Sequence, residues 1–377
     1  MSASEPRVKS AAGPSAHPVV RRARVLVVDD SAFMRRLVSD VIGDSGEFDV
    51  VGTARDGAHA MQQLHALDPD IITLDVDMPG QDGLDALRQI MTESPRPVVM
   101  LSAGGADGGV DATLRALELG AIEFVRKPSG TISLDLDLVR EQLLDALRAA
   151  AATNRATLAP PPAHPRTRAS FDPTHPLTLA ESGRAATHVV CIAASTGGPA
   201  ALTQVVPLLP RFSSAAVLIA QHMPAGFTRS LAQRLDVMSR LTVCEVAHLQ
   251  PLIAGHAYVA PGGYHFRVAM TNGAPVAMLD TAVPLWGVRP AADHLFVSAS
   301  HVFGARCTGV VLTGMGCDGA DGLFAIRHAG GRGIVQDAAT SVIPGMPNAA
   351  LRHAGAEHVV ALNEIADVIA AEVGGRA

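Results

Sequence analysis

From Arg24 onward, short apolar runs alternate with segments of helical period, and this alternation constrains the fold more than any other feature of the chain. Val25–Val28, Asp49–Ala54, Ile71–Leu74, Pro97–Leu101 and Ala121–Val125 read as strands. Ala32–Asp44, Ala58–Leu67, Leu84–Met91 and Gly109–Leu119 read as the helices between them, and Leu136–Arg148 closes the set. Five such units predict a doubly wound parallel sheet, with its chemistry at the carboxyl ends of the strands.

The same logic returns after a break. Residues 1–22 are small and polar and are expected to form a disordered tail ahead of a first domain over 23–148. From 149 to 185 the periodicity dissolves around Ala159-Pro160-Pro161-Pro162-Ala163-His164-Pro165-Arg166, a stiff polyproline-like stretch that reads as an interdomain linker. Residues 186–377 form a second α/β domain. Its expected strands are His188–Ile192, Ala216–Gln221, Thr308–Leu312 and Ile334–Gln336, with helices at Phe227–Asp236, Ala291–Phe303, Gly319–Ala329 and Leu362–Val373. Tyr258–Val268, around Ala260-Pro261-Gly262-Gly263, reads as a hairpin.

The strand ends of the first domain carry a consistent polar set. Asp29 and Asp30 end the first strand, Asp75 the third, Ser102 follows the fourth, and Lys127 follows the fifth. Clustered carboxylates stay ionised cheaply only with a cation among them, and an oxygen-rich set suits Mg²⁺. Lys127 stands where it can neutralise a phosphoryl group on Asp75, and Ser102 where it can hydrogen-bond one. The chain holds 30 basic residues, of which only Lys9 and Lys127 are lysines. A primary amine kept among so many arginines points to a point-charge role that a planar guanidinium fills badly.

In the second domain, Ala193-Ala194-Ser195-Thr196-Gly197-Gly198-Pro199 follows an apolar strand and opens a helix. The turn exposes the Ser195 hydroxyl, and the amides that follow it, Thr196 first, face whatever approaches. This is the geometry of an acyl-transfer nucleophile with an oxyanion site; the bland alternative is a capping or phosphate-binding serine. His222 follows the next strand, and Asp318 lies in the glycine-rich turn after Thr308–Leu312. Strand ends of one parallel sheet converge on one crevice, so His222 can take the Ser195 proton and Asp318 can hold the imidazole. The backbone N–H of Met315 is the second oxyanion candidate. No cofactor is expected for this chemistry.

Two resemblances attach to these residues. Val-Val-Asp-Asp-Ser (27–31), Leu-Asp-Val-Asp-Met-Pro-Gly-Gln-Asp-Gly (74–83) and Val-Arg-Lys-Pro (125–128) resemble the receiver domain of response regulators, a five-stranded flavodoxin-like fold. That implies Asp75 as phospho-acceptor, Asp29, Asp30 and the Asp77 carbonyl around Mg²⁺, Ser102 and Lys127 as switch residues, and a chemotaxis histidine kinase as phosphodonor. The second domain resembles the chemotaxis protein-glutamate methylesterases through Ala-Ser-Thr-Gly-Gly-Pro (194–199), Gln-His-Met-Pro (221–224), Tyr-Val-Ala-Pro-Gly-Gly (258–263), Arg-Pro-Ala-Ala-Asp (289–293), Leu-Thr-Gly-Met-Gly-Cys-Asp-Gly-Ala (312–320) and Gly-Met-Pro (345–347). It implies that Ser195, His222 and Asp318 are catalytic. The substrates it implies are glutamate γ-methyl esters, and often glutamines, on cytoplasmic chemoreceptor helices. This chain departs from the family's usual Gly at Ala193, read as a turn position, and from its common Ser at Ala291.

Composition excludes competitors. Residues 186–377 hold 11 Arg, no Lys and 11 Asp plus Glu, so a nucleic-acid-binding output domain lacks its basic face. An enzyme for another ester remains open, because a triad fixes the chemistry and not the acyl group. No run reaches membrane-spanning length, and four cysteines without CxxC spacing suit reduced thiols in the cytoplasm. The two-domain layout predicts a receiver that restrains the esterase, docked with the side of its phosphorylation face near Ser195.

Overall fold

A computed structural model describes residues 21–78, 82–102, 108–127, 133–153, 155, 158 and 183–375, with only the backbone at 108–110 and 133–138. The proposed tail to residue 20, the 79–81 part of the second receiver motif, Pro128 and linker residues 159–182 lie outside these.

The first domain is the expected five-stranded sheet: β1 (Ala23–Val28), β2 (Phe48–Ala54), β3 (Ile71–Asp75), β4 (Val98–Ser102) and β5 (Glu123–Arg126), all parallel, in the order β2-β1-β3-β4-β5. Helices α1 (Ala32–Ser45), α2 (Gly57–Leu67), α3 (Gly83–Glu93), α4 (Gly108–Glu118) and α5 (Ser133–Ala151) cover it. Local chemistry sets their starts: Ser31, Asp56 and Asp82 each accept an amide of the following first turn. Chain beyond Arg148 still belongs to this body. Leu158 is buried in its core and Arg155 reaches Asp70 at 2.8 Å, so the packed domain runs about ten residues past the break in periodicity.

The second domain is built on a seven-stranded parallel sheet of β6 (His188–Ala194), β7 (Ala215–Gln221), β8 (Thr242–Glu245), β9 (His256–Val259), β12 (Cys307–Val311), β13 (Arg332–Gln336) and β14 (His358–Val360), ordered β14-β13-β12-β6-β7-β9-β8. Beside it stands an antiparallel hairpin of β10 (His265–Thr271) and β11 (Ala274–Asp280). Helices α6 (Gly198–Val205), α7 (Phe227–Met238), α8 (Ala292–Phe303), α9 (Ala320–His328), α10 (Gly345–His353) and α11 (Ile365–Gly374) pack around it. From β6 the chain builds one side of the sheet and later returns to place β12 on the other. The carboxyl ends of β12, β6 and β7 therefore flank a topological switch point, where crevices form.

One expectation fails here. Tyr258–Val268 is not a hairpin: Tyr258 and Val259 end β9, inside the parallel sheet. The hairpin begins one strand later and turns at Asn272-Gly273, both with φ positive, the pair a tight two-residue turn demands. Pro261-Gly262 instead forms a loop at the end of β9, where a Cβ on Gly262 would lie 2.4 Å from the Ala225 nitrogen.

The two domains are in contact. Phe124 at the start of β5 stacks on Phe227 at the start of α7, with centroids 4.4 Å apart and 29° between the planes. Arg234 of α7 pairs with Glu118 and reaches Asp111 at 3.5 Å, both on α4. Leu114, Leu117 and Ala121 share one buried cluster with Leu202, Phe227 and Leu231. The docking face is thus the α4–β5 side, touching at the amino end of β5 rather than beside the strand ends that carry Asp75.

Candidate active site

His222 and Asp318 meet at the strand ends, and Ser195 stands at the end of the neighbouring strand β6. Ser195 directly follows β6, His222 directly follows β7, and Asp318 closes the loop from β12 into α9. Asp318 is buried, and its Oδ2 lies 2.7 Å from His222 Nε2. Its oxygens also accept the backbone N–H of Ala292 at 2.6 Å, and of Asp293 and Gly319 at 3.0 Å each. Burial pushes the Asp318 carboxyl up, but His222 and these amides outweigh it and hold it below the usual carboxylate range. The carboxylate that orients the imidazole therefore also caps α8.

That cap gives Ala291 its meaning. Ala291 occupies the N-cap position of α8 and offers no side-chain hydrogen bond, so the Asp318 carboxylate alone satisfies the Ala292 and Asp293 amides. Ala193 is a correction: it lies within β6, paired with Ala220 and Val311, and is no turn residue. Behind Asp318, the Asp293 carboxyl receives the Trp286 indole N–H at 2.9 Å and the Gly322 amide at 2.7 Å. Burial, then the neighbouring Asp318 charge, raises it to about 6.

With Nε2 committed to Asp318, His222 Nδ1 makes no hydrogen bond among the described residues. Among the described residues no hydrogen bond joins the Ser195 hydroxyl to His222. The backbone holds the two turns together: Ser195 N donates to Thr313 O at 3.1 Å, His222 N to Ala194 O at 3.1 Å, and Gln221 Nε2 to Ser195 O at 2.9 Å. Gly314 packs directly on the serine, since a Cβ there would lie 2.7 Å from Ser195 Cβ and 2.3 Å from Met346 Sδ. Gly197 adopts φ +76° against Val342, which places a glycine at the cap of α6.

Among the described residues the backbone N–H groups of Thr196 and Met315 donate to no one. Thr196 directly follows Ser195, and Met315 directly follows Gly314, which packs on the serine. The sequence missed what braces their loop: Thr313 N donates to Gln336 Oε1 at 2.8 Å, and Thr313 Oγ1 to Thr196 O at 3.1 Å. It missed Glu123 as well, a receiver residue whose Oε2 accepts from Thr196 Oγ1 at 3.3 Å. The Gly-Met-Pro motif at 345–347 was the signal for the Gln336 side, because Met346 N donates to Gly314 O at 2.8 Å.

In the first domain, ligand atoms of Asp29, Asp30 and Asp75 lie within 4.8 Å of one another. Lys127 Nζ stands 2.7 Å from both Asp29 and Asp75. Burial pulls the Lys127 ammonium down, but these two carboxylates outweigh it and raise it; burial raises Asp75 despite the lysine. Asp75 Oδ2 is buried without a hydrogen-bond partner, a donor position that a hard divalent cation fits. Asp77 stands two residues on and donates its N–H to Asp75 Oδ1 at 3.2 Å, and Ser102 is buried at the end of β4.

A family model described as CheB methylesterase matches residues 190–369, and one described as response regulator receiver domain matches residues 25–137. A protein-glutamate methylesterase/protein-glutamine glutaminase of Symbiobacterium thermophilum is 44% identical over 360 residues, 94% of this chain and 98% of that protein. The chain belongs to the protein-glutamate methylesterase/protein-glutamine glutaminase family. Its likeness to family members from Pyrococcus abyssi (43% identical, 93% of each chain) and Bordetella bronchiseptica (43%, 95% of this chain and 99% of that protein) also spans both domains and the segment between them. The methylesterase catalytic domain of Thermotoga maritima CheB, a solved structure, is 37% identical over 48% of this chain and 97% of its own, with a TM-score of 0.48. Among the described residues of this methylesterase no helix is long and apolar enough to cross a membrane.

Proposed function

We propose that Ser195, His222 and Asp318 carry the family's hydrolysis of glutamate γ-methyl esters, and of glutamine side chains, on chemoreceptor helices. The observation that carries it is the 2.7 Å His222–Asp318 bond set at the strand ends beside Ser195. Ser195 Oγ attacks the γ-carbonyl carbon while its proton passes to His222 Nδ1. The Thr196 and Met315 amides receive the oxyanion, and Asp318 stabilises the imidazolium. Methanol, or ammonia from glutamine, departs with the His222 proton. Water, activated by His222, then releases the glutamate carboxylate from Ser195. A fluorophosphonate probe tests the assignment: it is expected to label Ser195 in the wild-type protein and not in His222→Ala, whereas labelling at another serine contradicts it.

The receiver takes its phosphoryl group on Asp75 from a histidine kinase. Asp29, Asp30, Asp75 and the Asp77 carbonyl are the residues that would hold Mg²⁺, which when bound neutralises charge on the transferring phosphoryl group. Lys127 then pairs with the phosphoryl oxygens and Ser102 donates to one. Phosphorylation adds about −1.5 to −2 charges at this point. Docked unphosphorylated, the receiver restrains the esterase; the Glu123–Thr196 contact supports that reading. The protein works in the cytoplasm on the cytoplasmic part of its receptors.

A further inference from the structure

Two carboxylates at the back of the candidate site are held by each other's helices. Asp318 lies just ahead of α9 but caps α8: its Oδ2 accepts the Ala292 N–H at 2.6 Å and its Oδ1 the Asp293 N–H at 3.0 Å. Asp293, in the first turn of α8, does the same for α9, since its Oδ1 accepts the Gly322 N–H at 2.7 Å. Each helix start is thus closed by a carboxylate carried at the start of the other. The crossing is tight, because a Cβ on Gly322 would lie 2.4 Å from Phe296 Cβ.

The other oxygen of Asp293 is taken as well: Oδ2 accepts the Trp286 indole N–H at 2.9 Å. Trp286 and Gly287, at φ +55° and +77°, turn a small hairpin in which Leu285 and Val288 exchange backbone hydrogen bonds. One buried ring grips both ends of this segment: His265 Nε2 meets Val283 O at 3.1 Å, and Nδ1 accepts the Ala291 N–H at 3.2 Å. Asp293 is itself buried, and among the described residues no cation pairs with it. A carboxyl kept there against its desolvation cost suits a task that uses both oxygens as acceptors.

We propose that Asp293 is a positioning residue for the hydrolysis: through Gly322 and Trp286 it locks α9 and the hairpin against α8, and so sets the Asp318 carboxylate on His222. This rests on the function proposed above and deepens it. Among the described residues Asp293 bonds neither Ser195 nor His222, so its effect on the chemistry passes through Asp318.

Full-length Asp293→Asn under a small phosphodonor tests this. Asparagine keeps the shape but turns an NH₂ group on one of the two N–H donors. The expected result is a kcat for methanol release about tenfold lower, with KM within about twofold of wild type. The rate at which a fluorophosphonate labels Ser195 should fall in step, and rates are expressed per labelled serine so that unfolded protein does not count. In an Asp318→Asn background the same substitution is expected to cost less than about twofold. An equal loss in both backgrounds, or wild-type kcat in Asp293→Asn, overturns the proposal. Trp286 is the sole tryptophan of the chain, so its emission reads the tether directly. Asp293→Ala is expected to move that emission to longer wavelength as the indole N–H meets water; unchanged emission also overturns the proposal. No methanol from folded wild-type protein under phosphodonor overturns the underlying esterase reading instead.

Discussion

Glu123 and Lys127 bracket a single strand: Glu123 opens β5 and meets Thr196 of the catalytic domain, and Lys127 directly follows β5 and bridges Asp29 and Asp75 at 2.7 Å. Four residues of extended chain, about 13 Å, separate Lys127, beside the Asp75 carboxylate, from the Glu123 contact with Thr196. A phosphoryl group that draws Lys127 toward itself therefore pulls on the strand that carries Glu123 and Phe124. Lys127→Ala is expected to accept phosphoryl on Asp75 yet gain little esterase activity. Intact mass and methanol release on one sample check this, and full activation of the variant contradicts the link.

The aromatic stack is the apolar half of the same latch. Such pairs contribute about 0.5–1.5 kcal/mol beyond the area they bury, so Phe124→Ala is expected to raise the unphosphorylated methanol-release rate about two- to tenfold. The phosphorylated rate should stay at the wild-type value. A variant no faster than wild type means that the stack does not hold the domains together.

Docking should depend on pH through Glu123. Burial in the interface raises its carboxyl from the ordinary 4.5 to about 7, against the opposing pull of the Phe124 amide, the Thr196 hydroxyl and nearby His222. The docked state thus binds the proton more tightly than the released one. Docking is strongest below the released value near 4.5, weakens as pH rises to about 7, and is level above that. Small-angle scattering is expected to find wild-type protein more extended at high pH than at low pH, and Glu123→Ala insensitive. The same expansion in the alanine variant contradicts this assignment.

Much of this was legible in the chain. Ser195, His222 and Asp318 each sit where a parallel strand ends, and the alternation of apolar runs with helical periods was enough to bring three strand ends to one crevice. What stayed hidden has short-range causes. Edge strands β8 and β14 are four and three residues long and only partly buried, too brief to carry a period. The hairpin lies one strand after Tyr258–Val268, because Pro261-Gly262 follows a strand of the parallel sheet and the tight turn is made at Asn272-Gly273. Asp318 as the cap of α8, and Glu123 at Thr196, depend on contacts 25 to 73 residues apart in sequence that no local pattern encodes.

Gly314 offers a steric test of the site. Its Cα faces Ser195 Cβ and Met346 Sδ with no room for a methyl group. Gly314→Ala is expected to lower kcat at least tenfold by displacing Ser195, while thermal unfolding falls by the few degrees typical of one overpacked position. Wild-type kcat in a folded Gly314→Ala protein contradicts the packing of this loop on the nucleophile.

The account stands on a serine nucleophile gated from Asp75. Its most direct measurement is methanol release from methylated receptor by wild-type, Ser195→Ala and Asp75→Asn proteins, each with and without a small phosphodonor and Mg²⁺. The expected result is phosphodonor-stimulated release by wild type, loss of release by orders of magnitude in Ser195→Ala under both conditions, and an unstimulated basal rate in Asp75→Asn. Release by Ser195→Ala at the wild-type rate, or equal stimulation of Asp75→Asn, contradicts it.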